Sequence, residues 1–241
     1  MKKGELLYEG KAKKIYQIPG VEDRVWVEYK DSLTAFNAQK KGNFENKGQV
    51  NREISSLIFR YLQSKGISSH WVSDVNDHEM IVEKLKIIPL EVVVRNTLAG
   101  STAKKMGIEE GRKLPRALVE FYFKDDNLAD PFMSDDQILI LQIASEEDLR
   151  SLKAAALKIN QELVAMWGQA GLDLIDFKVE FGKNSKGQIL LADEISPDCS
   201  RLWDLKTGEK MDKDRFRRDL GQVKESYQEV LKRLREVVHV K

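Results

Sequence analysis

The sequence predicts an α+β protein built in two strand-bearing parts. Three observations carry that expectation. The first third holds short β-prone runs punctuated by turn residues, three separate stretches repeat apolar residues at helical spacing, and one late stretch alternates strictly between apolar and polar. In the first third, residues 6–8, 14–18 and 25–29 read as strands, with Gly10 and Pro19-Gly20 as turns. Val50, Ile54, Leu57, Ile58, Tyr61 and Leu62 then recur at helical spacing, and Gly66 follows as a stop signal. Residues 80–85 add a further strand. Residues 1–85 are therefore expected to form a strand-rich lobe with one helix, and residues 86–241 a second, mixed lobe.

In the second part, the run LEVVV at residues 90–94 is short and continuously apolar, as expected of a buried strand. Ser145-Glu-Glu-Asp148 has the form of a capping box. Leu149, Leu152, Ala156, Ile159 and Leu163 continue it as one apolar face, which Gly171 ends. Phe216, Leu220, Val223, Tyr227, Leu231, Leu234 and Val238 predict one last helix. Such stripes are core, and no chemistry is assigned to them.

Composition excludes several classes. Forty basic side chains against 39 acidic ones give a net charge of +1, which leaves no footprint for nucleic acid or a membrane surface. Local clusters at Lys11, Lys13 and Lys14 and at Lys40 and Lys41 suit a small anionic ligand or a solvated face. The one cysteine, Cys199, forms no disulfide framework, and the start MKKGELLYEG lacks the apolar core of a signal peptide. No stretch approaches the roughly 18 apolar residues that span a bilayer. A cytoplasmic location is the expectation.

Charge concentrates in residues 174–196, LIDFKVEFGKNSKGQILLADEIS. Alternation places Ile175, Phe177, Val179 and Phe181 on one face of a strand and Asp176, Lys178 and Glu180 on the other. If Lys186-Gly187 is a two-residue hairpin loop, Glu180 falls opposite Asp193. Opposed carboxylates repel, and a divalent cation between them turns that cost into attraction. Lys178, on the same face, can counter further substrate charge. A longer loop shifts this register by one or two positions, and a solvated hairpin with a polar outer face is the plainer alternative. The runs 195–204 and 95–101 read as polar loops, with Gly100 and Ser101 opening a short helix whose N–H groups, with Arg95, suit a phosphate. The sequence has no Walker or dinucleotide glycine motif and no zinc-like spacing, and His70, His78 and His239 are dispersed.

Six segments, in order, resemble the SAICAR synthetase family of purine biosynthesis. They are YEGKAKKIY (8–16), KDSLTAFN (30–37), EVVVRNTLAGS (91–101), DFKVEFG (176–182), DEISPDCSRLWD (193–204) and MDKDRFRRDLG (211–221). The resemblance implies a kinase-like antiparallel lobe packed on a larger α+β lobe, with ATP in the cleft. The implied reaction joins aspartate to carboxyaminoimidazole ribonucleotide with ATP and magnesium, and a homodimer is implied as well. It implies that Lys11, Ala12 and Lys13 turn over the ATP phosphates and that Lys84 and Leu85 meet the adenine. Glu180 and Asp193 hold magnesium and nucleotide. Arg95, Ser101, Lys178, Asp198 and Arg201 surround the imidazole nucleotide, with Arg95, Ser101 and Arg201 on its phosphate. Asp176, Lys124 and Asp130 match family positions, and Ser32, Thr34 and Asn37 are candidates for the aspartate subsite. Lys13, Lys178, Glu180 and Asp193 are the expected catalytic set. Cys199, where threonine is common, is read as tolerated variation. A small-molecule kinase is the rival enzyme and a nucleotide-binding regulatory module the rival non-enzyme.

Overall fold

The computed structural model describes residues 1–35 and 39–239. The chain begins with strands β1 (Leu6–Glu9), β2 (Lys13–Ile18), β3 (Val21–Tyr29), β4 (Ser32–Ala35) and β5 (Lys40–Asn43). Helix α1 (Lys47–Ser64), β6 (Trp71–Asn76), β7 (Glu79–Glu83), β8 (Lys86–Thr97), α2 (Gly100–Met106) and β9 (Lys113–Phe123) follow. After β10 (Phe132–Met133) come α3 (Asp135–Ile140), α4 (Glu146–Gln169), β11 (Leu172–Lys183), β12 (Ile189–Ala192) and β13 (Ser200–Asp204). Helices α5 (Asp214–Arg217) and α6 (Val223–Val237) close the order.

The pairings are antiparallel. A five-stranded sheet runs β1-β2-β3-β7-β6, and a six-stranded sheet runs β10-β9-β8-β11-β12, with β13 also on β11. In the small sheet β3 alternates: Val25, Val27 and Tyr29 pack with Met80 and Val82, while Trp26 joins Ile18 and Ile81 on the other side. In the large sheet Leu90, Val92 and Val94 of β8 and Phe177, Val179 and Phe181 of β11 enter the main core under α4. The run 90–94 is therefore alternating in use, since Glu91 and Val93 turn the other way and line the cleft.

Local signals are obeyed where they are strong. Ser145 and Asp148 form the reciprocal capping box at the start of α4. Gly171 (φ 73°) follows the end of α4, and Gly66 (φ 70°) that of α1. The apolar face of α1 enters the main core rather than a small-lobe core of its own.

Three expectations need correction. The last helix is two: Asp219 (φ 54°), Gly221 (φ 71°) and Gln222 (φ 51°) break it, and the Arg215 guanidinium binds the freed carbonyls of Leu220 and Gly221. Leu220 consequently faces solvent. Half of the 195–204 run is strand β13, paired to β11 from Leu172↔Asp204 to Phe177↔Ser200. The hairpin loop is longer than two residues. Asn184 accepts from the N–H groups of Lys186 and Gln188, and Gly187 takes φ 76°, as in a three-residue loop. Glu180 therefore pairs with Ala192, not Asp193.

Strands β12 and β13 share one edge of β11. The first ends opposite Glu180 and the second begins opposite Phe177, so the segment 193–199 leaves and rejoins the same strand. Midway, Lys178 N–H donates to Cys199 O at 2.8 Å. At the other side of this edge, His70 joins the sheets: its N–H donates to Leu191 O (2.8 Å) and its carbonyl accepts from Glu83 N–H (2.7 Å). Among the described residues, no helix is long and apolar enough to cross a membrane.

Candidate active site

The polar face of the large sheet forms the floor of a cleft beneath the turn between β1 and β2. Strand register alone sets its first pairing: Glu180 lies directly opposite Glu91 on β8, with Lys178 opposite Val93 and Asp176 opposite Arg95. The expected opposition of Glu180 and Asp193 is therefore not formed, and Glu180 instead opposes Glu91, to which the sequence reading gave no role. A cation does lie between them, and it is the Lys178 ammonium, 2.8 Å from Glu91 and 3.2 Å from Glu180. Lys124 pairs with the other Glu180 oxygen.

A second node centres on Asp176, which is 4% exposed. It accepts from Arg95 Nη1 at 2.7 Å and from Arg201 Nη1 at 2.9 and 3.0 Å. Arg95 Nε is held by Glu120 at 2.6 Å and Arg201 Nε by Asp214 at 3.0 Å. The Arg95 fork expected to grip a phosphate is therefore engaged with carboxylates. In this geometry it braces Asp176 while still lining the cleft, and Arg201, bound through Nε and Nη1, retains Nη2. Gly100 (φ 60°) gives that guanidinium its space, since a Cβ there would lie 2.8 Å from Arg201 Cζ. The first N–H of α2 is also occupied, donating to Glu110 at 3.1 Å.

The third node joins the lobes. Lys13 reaches from β2 to Asp193 and lies 3.6 Å from Glu194. Asp193 itself adopts φ 61°, a left-handed conformation uncommon for a residue with a Cβ. Lys11 spans the mouth to Asp126 at 2.7 Å, while Ala12 O accepts from Lys30 N–H and Lys11 O from Ser32 Oγ.

These nodes enclose two adjoining cavities. The larger, about 390 Å³, is lined by Lys11, Thr34, Arg95, Ser101, Asp130, Asp176, Lys178, Asp198 and Arg201 from the expected set. Cys199 lines it as well, and Glu91, Tyr122, Ser200, Lys213 and Arg217, to which the sequence reading gave no role, add to its polar lining. The smaller, about 130 Å³, is lined by Lys11, Ala12, Ser32, Thr34, Lys178, Asp193, Glu194, Asp198, Cys199 and Lys213. Lys13 and Glu180 stand behind these walls, each bound to a residue that lines one. Lys84 and Leu85 line neither cavity. They lie between β7 and β8, where Lys84 N–H donates to Asp23 O and a Cβ on Gly182 would meet Leu85. Asn37 lies outside the described residues.

Electrostatics keep this network charged. Burial works against the Lys178 ammonium, yet Glu180, then Glu91 and Asp193, hold its pKa well above the ordinary lysine value. Lys13 is likewise raised against burial by Asp193 and Glu194. Burial opposes the charge on Asp193, but Lys13, Lys178 and Lys124 pull its pKa down. Lys213 is lowered by burial. The Cys199 thiol, half-buried, is pushed up to about 12 by desolvation and by Glu194 beside it.

Among the described residues no group of three or more His, Cys, Asp or Glu side chains is placed to hold a metal ion. Glu180 and Asp193 are two hard oxygen donors, and magnesium uses one or two carboxylates together with phosphate oxygens and water. That donor chemistry fits a magnesium ion arriving with a nucleotide. Glu180 now faces the ammonium groups of Lys124 and Lys178, and Asp193 that of Lys13, so a bound ion would have to share or displace these partners.

One antiparallel sheet set over another, whose polar face carries interleaved lysines, arginines and carboxylates, is the plan of a two-lobed enzyme with a charged cleft. The profile of the family described as SAICAR synthetase matches residues 6–234, and the chain belongs to that family. It is 54% identical over 240 residues to the phosphoribosylaminoimidazole-succinocarboxamide synthase of Shouchella clausii, covering 100% of both chains. The crystal structure of the synthase from Ehrlichia chaffeensis superposes with a TM-score of 0.93 at 42% identity, covering 96% of this chain and 98% of that one. A SAICAR synthetase solved in complex with ADP gives a TM-score of 0.91 at 44% identity, covering 95% and 97%.

Proposed function

We infer that the cleft carries out the reaction of its family. The chain is an ATP-dependent carbon–nitrogen ligase of purine biosynthesis, condensing aspartate with carboxyaminoimidazole ribonucleotide to give the succinocarboxamide, ADP and phosphate. The observation that carries this reading is the convergence of Lys13, Lys178, Glu180 and Asp193 where the two lobes meet.

A carboxylate resists amine attack because its leaving group would be oxide. Transfer of the ATP γ-phosphoryl group to it gives an acyl phosphate, whose phosphate leaves when the aspartate amine attacks. Phosphoryl transfer needs positioning and charge neutralisation rather than a protein nucleophile. In this reading Lys13 and Lys178 neutralise the transferring phosphate, and the turn Lys11-Ala12-Lys13 covers the nucleotide tail. Glu180 and Asp193 would hold magnesium, which supplies charge neutralisation at the phosphate oxygens when bound. Lys84 and Leu85 border the adenine. Ser101 and Arg201 receive the nucleotide phosphate, aided by Lys213 and Arg217, while Arg95 holds Asp176 in place and Asp198 faces the nucleotide. The smaller cavity, whose lining joins Lys11, Lys178 and Lys213 with Asp193, Glu194 and Asp198 beside Ser32 and Thr34, offers partners for both charges that aspartate carries and is assigned to it. Residues 1–85 act as the nucleotide-covering lobe and 86–241 as the substrate lobe. A homodimer, from the resemblance, and a cytoplasmic location, from cysteine usage, belong to the same proposal.

The test is a coupled assay with ATP, aspartate and the imidazole nucleotide, with product mass determined. ADP release that requires aspartate, and a product gaining a succinyl group, support the ligase. ADP release without aspartate favours a kinase. Glu180→Gln is expected to abolish turnover with the fold intact, and near wild-type activity removes Glu180 from the mechanism.

A further inference from the structure

Asp198 lines both cavities, but its carboxylate is gripped from behind by two residues that line neither. Lys47, in the first turn of α1 and 1% exposed, pairs with Oδ2. Tyr227, on α6 and fully buried, donates its hydroxyl to Oδ1 at 2.7 Å. Phe44 meets the Tyr227 ring edge-on at 5.4 Å, and Asp198 N–H donates to Ser196 Oγ at 3.2 Å. A carboxylate oxygen has two acceptor directions. One donor on each oxygen therefore leaves one direction per oxygen free.

We propose that Lys47 and Tyr227 are positioning residues for the ligase reaction, acting through Asp198 to aim its two remaining acceptor directions at an N–H donor of the imidazole nucleotide. This rests on the reading that Asp198 faces that substrate. Burying an ion pair is a weak source of stability, because desolvation of both charges offsets their attraction. A buried Lys47 whose partner stands at a cavity wall is better explained by orientation. The arrangement also makes α6, which lines neither cavity, part of the machinery. Glu194 and Lys213 are the other charges close to this group, and neither donates a hydrogen bond to Asp198.

Steady-state kinetics on the full chain test this with Tyr227→Phe, Asp198→Asn and the double variant, each substrate varied in turn. Tyr227→Phe removes one hydroxyl and keeps the packing against Phe44. It is expected to raise KM for the imidazole nucleotide roughly tenfold, the size of one hydrogen bond to a charged group. KM for ATP should stay within about twofold, and the double variant should be no worse than Asp198→Asn alone, since contacting residues are non-additive. Lys47→Met should show the same selectivity with a lower melting temperature, because it leaves Asp198 buried without its cation. An unchanged nucleotide KM in Tyr227→Phe overturns the proposal, as do losses that multiply in the double variant. If Asp198→Asn alone binds the nucleotide normally, the placement of Asp198 at the substrate fails, and the positioning role with it.

Discussion

Replacing Lys178 by methionine, similar in length and uncharged, isolates the electrostatics of the cleft floor. The change leaves Glu91 and Glu180 facing each other across β8 and β11, with Glu180 only 3% exposed. Directly opposed side chains on neighbouring strands lie about 5 Å apart, and at an effective dielectric near 20 two like charges there repel by about 3 kcal/mol. Lys124 still pairs with Glu180, so the destabilisation is expected at about 2–3 kcal/mol. For a chain of this size that lowers the melting temperature by roughly 5–10 °C. Thermal melts at pH 8 read it directly. Adding Glu91→Gln, which removes one of the two opposed charges, should recover most of the loss. A Lys178→Met protein that melts with the wild type would refute the balance described for this face.

Other outcomes follow from single contacts. Gly100→Ala places a Cβ against the Arg201 guanidinium at φ 60° and should raise KM for the imidazole nucleotide at least tenfold, measured in the coupled assay. Cys199 should resist thiol reagents at pH 8 in the folded protein and react on unfolding in urea, because burial and Glu194 hold its pKa near 12. Glu110 is lowered to about 2 chiefly by Arg218, and Asp214 to about 2 by Arg201 and Arg217 against burial. Folded values below the unfolded ones mean stability that is complete above about pH 4.5 and lost as the pH falls toward 2. Urea midpoints should drop across that window, less steeply in Arg218→Gln. Ser145→Ala removes the N-cap of α4 and should cost about 1 kcal/mol by urea unfolding.

What could be read from the sequence was local or strictly periodic. The alternation through Phe177, Val179 and Phe181 fixed which side chains enter the core and which face the cleft, and Ser145, Gly66 and Gly171 marked helix ends correctly. The register of the hairpin depended on the Asn184 side chain folding over its own loop, which residue patterns do not reveal. Glu91 was hidden inside an apolar run, although its place after Leu90 and before Val92 was a period-2 signal. The split between α5 and α6 needed three left-handed residues and Arg215 to stabilise it. Tyr227 was legible only as a core position of the last helix, and Lys47, Glu194, Lys213 and Arg217 stood out by no local pattern, because their significance arises only when α1, the segment after β12 and the last two helices meet.

The segment 193–199 is stitched to one strand at both ends, opposite Glu180 and Phe177, a separation of about 10 Å at strand rise. Its closure is therefore settled when β11 folds, and little chain freedom is left to lose when a ligand arrives. Asp193, Glu194 and Asp198 stand in the cleft as fixtures of a sheet rather than as a loop awaiting instruction. Adjusting the chemistry of this enzyme by lengthening that segment would unseat both neighbouring strands, so variation is better tolerated at the rim of the cleft than along its spine.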